Sequence, residues 1–115
     1  MAIVSLIGES DAYSAVRAES ELELLLDSGL RIVIDLSETT FADSHTLGVL
    51  LAARHRAEQA GIGFVLALPT GSYTQVDRLL DLTGLRAAFA ILPSLDDALA
   101  ASRTGENVGP RAHAA

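Results

Sequence analysis

The side chains best able to do chemistry lie in two short stretches, Gly8-Glu9-Ser10-Asp11 and Ser37-Glu38-Thr39-Thr40-Phe41-Ala42-Asp43-Ser44. Brought together they make an acidic rim around hydroxyl groups, which matches no standard catalytic constellation. Histidine does not complete one. His45 and His55 are ten residues apart, about 15 Å along a helix, too far to share a metal within one chain. His113 stands near the end of the sequence. Ser44 and His45 are neighbours, and helical neighbours point about 100° apart, so they form no nucleophile–base pair. Gly61-Ile62-Gly63 precedes an apolar run instead of following one, the wrong side for a phosphate cradle. No catalytic residue, metal site or cofactor is expected.

Composition removes further classes. The chain has 115 residues, half of them apolar, enough for one domain with a core of its own. All eight basic residues are arginine. Without lysine there is no P-loop, no Schiff-base chemistry and no receiver-domain lysine. Without cysteine there is no disulfide framework, thiolate zinc site or redox dithiol. Fifteen acids against eight bases give a net charge of −7. That sign disfavours nucleic acid and anionic membrane as partners and suits a protein with a basic patch. No apolar window is long enough to span a bilayer, and the start lacks the basic region and long apolar run of a secretory signal.

The elements that must position the two stretches alternate along the chain. Ile3–Ile7 reads as a strand closed by Gly8, and Asp11 to Ser28 as a helix with Ala12, Ala15, Val16, Leu22, Leu25 and Leu26 inward. Arg31–Leu36 contains Ile32, Val33 and Ile34 without a polar break, and Gly63–Leu68 is a continuous apolar run, the pattern of strands covered on both faces. Between them Ser37 to Ala42 reads as a polar connection, and a helix opens at Asp43 or Ser44 and stops at Gly61. A third helix carries Val76, Leu79 and Leu80 and ends near Gly84, Ala88–Leu92 is a short strand, and Ser94 caps a last helix with Ala98 and Leu99 inward. The order β-α-β-α-β-α-β-α predicts an α/β domain: a small, mostly parallel or mixed four-stranded sheet with alternating helices, over residues 1–101. Residues 102–115 carry one sizeable apolar side chain, Val108, and are expected to be a disordered C-terminal tail. Loops at the carboxyl ends of such strands form the usable crevice, which is where both acidic, hydroxyl-rich stretches fall.

One longer pattern is more specific. From Arg31 the chain reads as a strand ending in Asp35-Leu36, a short loop, an inward Phe41, and Asp43-Ser44 opening a leucine-rich helix. With Gly8-Glu9-Ser10-Asp11 upstream and Val76-Asp77-Arg78-Leu79-Leu80-Asp81-Leu82-Thr83-Gly84-Leu85 downstream, this resembles the STAS domain. Its small bacterial members are anti-sigma factor antagonists, and the resemblance spans roughly residues 3 to 100. It implies Ser44 as phosphoacceptor, with Thr46 a weaker alternative. It also implies a partner-binding surface of Asp11, Asp43, His45 and Thr46. The implied partner is an anti-sigma factor serine kinase, bound by the unmodified protein and released by phosphorylation, in a cytoplasmic monomer or weak homodimer without catalysis of its own. Where the family has Asp-Ser-Ser/Thr-Gly-Leu this chain has Asp-Ser-His-Thr-Leu, so that Thr46 stands in place of a glycine that lets another backbone approach.

The physical reading runs alongside. A hydroxyl in the first turn of a helix is exposed near unpaired backbone N–H groups, and a phosphate added there brings about −1.5 to −2 charges. The helix N-terminus offsets part of that charge, whereas a partner docked on the same spot offers no such compensation. Two other readings are a non-phosphorylated STAS scaffold or accessory subunit, and a small-molecule sensor holding a nucleotide or anion in the same loops.

Overall fold

Burial on two sides decides the architecture. In the computed structural model, which describes residues 1–10, 12–69 and 71–104, the continuous apolar runs become β3 (Ile32–Asp35) and β5 (Phe64–Ala67) at the centre of a four-stranded parallel sheet. The strand order is β1-β3-β5-β6, with β1 (Ala2–Ser5) and β6 (Ala90–Leu92) at the edges. Register pairs Ile3 with Val33, Val33 with Val65 and Val65 with Ala90. Alternate residues therefore face opposite layers. Ile32, Ile34, Phe64 and Leu66 face the main core, shared with Leu22, Leu50 and Leu80 of the first three helices. Val33, Val65 and Ala67 face the other way, onto Ala98 of α4 (Leu95–Thr104). The expected four-stranded α/β sheet with alternating helices is what forms. No described helix is long and apolar enough to cross a membrane.

The helices fall close to their expected places, with one change of rotation. α1 (Ala12–Ser28) buries Ala15, Ala18, Leu22 and Leu26. Val16, expected inward, is 56% exposed because that stripe takes Ala18 instead. α2 (Ser44–Ala60) ends at Gly61, whose φ of 71° places it in the left-handed region while its N–H reaches the carbonyls of Ala57 and Glu58. α4 is capped by Ser94, whose hydroxyl accepts from Asp97 N at 3.1 Å. It carries the chain to Thr104, and the remainder of the expected tail lies outside the described residues.

The connection Ser37 to Ala42 is more than a loop. Thr39–Ala42 forms β4, which pairs in parallel with β2 (Gly8–Ser10) as a separate two-stranded sheet. Both strands are short and polar, so neither shows the apolar alternation that marks a strand in sequence. Gly8, at φ 74°, opens β2, and the register of the β2–β4 pairing shifts between Gly8 and Glu9. Gly8 N donates to Glu38 O at 2.8 Å, and the buried Thr39 hydroxyl donates to Leu6 O.

α3 (Gln75–Thr83) is tied down at both ends. Thr74 and Asp77 form a reciprocal capping box, with Thr74 N donating to Asp77 Oδ2 at 2.9 Å and Asp77 N to Thr74 Oγ1 at 3.3 Å. Arg86, in the turn after the helix, reaches back to Asp77 Oδ1 at 3.0 Å and Asp81 Oδ1 at 2.7 Å. Tyr73 donates its hydroxyl to Asp81 Oδ2. Burial alone would raise the Asp77 carboxyl, but hydrogen bonds from the Thr74 backbone and hydroxyl and from Arg86 outweigh it and hold it below the usual carboxylate range. A carboxyl depressed in the folded state stabilises above its unfolded pKa of about 3.9, and that stability is lost as pH falls through the folded value. Asp77→Asn should cost about 1–2 kcal/mol at pH 7. The gap from wild type should shrink as the pH falls below about 4, as read by urea unfolding at several pH values. A gap independent of pH would contradict the assignment.

Candidate functional site

The two hydroxyl-rich stretches do come together, because β2 and β4 are paired: Glu9 lies opposite Phe41 and Ser10 opposite Ala42. Asp11 lies outside the described residues. Immediately after β4 the backbone of Asp43 stays extended, at φ −97° and ψ 175°, and α2 starts at Ser44. The Asp43 carboxylate turns back over the first turn, where Oδ1 accepts from Thr46 N at 2.9 Å and from Thr46 Oγ1 at 3.0 Å. This is an N-cap with a second bond added by the threonine hydroxyl.

The cap fixes which side chains face out. With about 100° per residue, a Thr46 turned inward puts Ser44 roughly 200° away, on the outer side. Thr46 is 2% exposed, Leu47 and Leu50 are buried, and Ser44 and His45 are both exposed. Thr46 and Ala42 border a small space of about 10 Å³ with Leu36, Leu66, Val76 and Leu80. Thr46 thus departs from its expected place on the partner-facing surface and as a second acceptor: its hydroxyl is buried and bonded to Asp43. The branched side chain of Thr46, where the resemblance leads one to expect glycine, points into the core and adds no obstacle outside. Phe41 departs in the opposite sense. Expected inward, it is 43% exposed, because its strand neighbour Ala42 takes the buried face and successive residues point to opposite sides.

His45 is exposed beside Ser44, and His55 is exposed further along α2. Among the described residues no group of histidines, aspartates and glutamates is placed to hold a metal. On the outer side one turn beyond Ser44 stands Gly48, where an added Cβ would meet nothing within 4 Å. One residue that sequence reasoning missed is Gln75. Its Oε1 accepts from Ala42 N at 2.8 Å and its Nε2 donates to Ala42 O at 2.8 Å. The Thr74-x-x-Asp77 spacing signals the helix start, but nothing in the sequence signals a contact spanning 33 positions.

The sequence profile of the STAS domain matches residues 1–98. The chain belongs to the STAS domain family. Among curated STAS relatives, the anti-sigma-F factor antagonist RsfB of Mycobacterium tuberculosis is 34% identical over 106 residues, covering 91% of this chain and 84% of the relative. A crystal structure of an anti-sigma factor antagonist from Mycobacterium paratuberculosis superposes with a TM-score of 0.70 at 31% identity, over 88% of this chain and 84% of that one. SpoIIAA in its unphosphorylated form shares the fold, with a TM-score of 0.66 at 15% identity over 90% of this chain and 87% of that one.

In this STAS chain the cap and the neighbouring hydroxyl have separable roles. Asp43→Ala should cost about 1–2 kcal/mol through loss of the bonds to Thr46. Ser44→Ala should cost less than about 0.5 kcal/mol. Urea unfolding of the two variants measures both. A large loss at Ser44 would make that residue part of the framework.

Proposed function

We propose that this chain is an anti-sigma factor antagonist. It binds an anti-sigma factor serine kinase through the surface around Ser44 and is released when that kinase phosphorylates Ser44. One observation carries the reading: the first residue of α2 presents its side chain outward while the residue two positions on is locked inward by Asp43. Family membership and the names of the relatives support the protein-partner class.

The chemistry asks little of this chain beyond placement. The Ser44 oxygen attacks the γ-phosphorus of ATP, the bond to the β-phosphate bridging oxygen breaks, ADP leaves, and the serine proton passes to a base on the kinase. The new group adds about −1.5 to −2 charges to a chain already at −7. At the first turn of α2 it meets helix N–H groups, which stabilise it without repacking the core. A partner surface fitted to a neutral hydroxyl meets instead an unmatched, hydrated dianion, and a docked interface pays heavily for a buried unpaired charge. The switch therefore acts on the interface. Catalysis belongs to the kinase and to a phosphatase, and the protein works in the cytoplasm as a monomer or weak homodimer.

Gly48 fits the same surface. Glycine in an exposed helix interior costs about 1 kcal/mol relative to alanine, and no internal contact requires it at this position. A bare backbone one turn from the acceptor lets a partner approach closely. Gly48→Ala should stabilise the isolated domain by about 1 kcal/mol while weakening kinase binding in calorimetric titration. Unchanged affinity would remove Gly48 from the interface.

The acceptor is tested by incubation with the anti-sigma factor kinase of the same genome and Mg–ATP, followed by intact mass. Wild type should gain one phosphate and Ser44→Ala none. Ser44→Asp should bind that kinase more weakly while its melting temperature stays within a few degrees of wild type. Modification of Ser44→Ala would place the acceptor elsewhere, and no modification of wild type would favour the scaffold reading.

A further inference from the structure

Among the described residues β4 has a strand neighbour on one side only, β2. At its last residue the other side is occupied by a side chain. Ala42 presents its N–H and C=O in the same direction, as any strand residue does, and the Gln75 amide meets both, each at 2.8 Å. A carboxamide offers one acceptor and two donors in a plane, so Gln75 supplies the two bonds that an adjacent strand would make. It is itself held, as the first residue of α3, directly after the capping Thr74 and two positions before Asp77, which Arg86 also grips. Ala42 is two residues from Ser44, and the intervening Asp43 is committed to the cap of α2. The acceptor segment is thus fixed from both sides, by α3 through Gln75 and by α2 through Asp43.

We propose that Gln75 is a positioning residue for phosphorylation: its amide holds the Ala42 backbone so that the Ser44 hydroxyl stands in one place for the incoming γ-phosphate. The proposal rests on Ser44 being the acceptor. Phosphoryl transfer depends on in-line alignment of the attacking oxygen, and displacement by about 1 Å at such a centre costs on the order of 100-fold in rate. Without the clamp, the end of β4 exchanges its two bonds for water and the segment ahead of the helix gains freedom, while Ser44 keeps its chemistry and its exposure.

The test uses Gln75→Leu, which keeps the approximate size of the side chain and loses both bonds, and Gln75→Glu. Residue-resolved hydrogen exchange needs no kinase. The Ala42 amide should be protected in wild type and should exchange roughly tenfold faster or more in Gln75→Leu, with Ile34 and Leu66 unchanged. In Gln75→Glu, protection of Ala42 should return at acidic pH, where the neutral carboxyl both donates and accepts, and fall at neutral pH, where the carboxylate faces the Ala42 carbonyl. With the purified anti-sigma factor kinase and Mg–ATP, Gln75→Leu should lower kcat for Ser44 phosphorylation by about tenfold or more with little change in KM. A role in packing alone would leave Ala42 exchange and kcat as in wild type for the leucine variant, and that result overturns the proposal. Faster exchange with an unchanged kcat overturns positioning while leaving the clamp. Wild type that takes no phosphate at Ser44 sinks the acceptor reading itself, a failure visible without either variant.

Discussion

A single carboxylate oxygen organises the functional end of this domain. Asp43 Oδ1 accepts both the backbone N–H and the hydroxyl of Thr46, which starts α2 and sets its rotation about its own axis. From that rotation follows the sorting of the first turn, with Thr46, Leu47 and Leu50 in the core and Ser44, His45 and Gly48 on the outside. A residue with no side-chain oxygen at position 43 would leave the helix start to be decided by packing alone. Thr46 strengthens this arrangement, because its side chain extends inward and its hydroxyl adds a second bond to the cap.

The rest of the fold serves to hold that turn at the rim of the sheet. β3 and β5 are sandwiched between two helical layers and form the rigid centre. Their carboxyl ends lead into the segments that carry the site, as parallel α/β connections require. β2 and β4 add a short second sheet that draws the first loop alongside the second. α3, secured by its capping box and by Arg86, reaches across through Gln75 to the last residue of β4. A phosphate added at Ser44 would therefore sit on a braced surface, which is what the proposed switch acting on docking needs.

The sequence made the burial-driven features legible and the polar ones obscure. Ile32-Val33-Ile34 and Phe64-Val65-Leu66 could only be strands covered on both faces, and the stops at Gly61 and Gly84 follow from the left-handed φ that each adopts. β2 and β4 are not legible, since Gly8-Glu9-Ser10 and Thr39-Thr40-Phe41-Ala42 are short, carry no run of apolar residues and are held by backbone pairing. The pattern that carries the family resemblance reads Phe41 as inward, and the resemblance implies Thr46 at the partner-facing surface, whereas Ala42 and Thr46 are the buried residues, Thr46 with its hydroxyl bonded to Asp43, and Phe41 is exposed. The Gln75 clamp leaves no local trace because its partner is a main-chain group far along the chain.

The central claim is that a phosphate on Ser44 changes what this surface binds without changing how the domain is built. Amide ¹H–¹⁵N spectra of the labelled protein before and after stoichiometric phosphorylation test it most directly. Shifts confined to the end of β4, the first turns of α2 and the start of α3, with β3 and β5 amides unmoved, are the predicted result. Displacements spread through β3 and β5, or a loss of spectral dispersion, would contradict it by making the switch a change of fold.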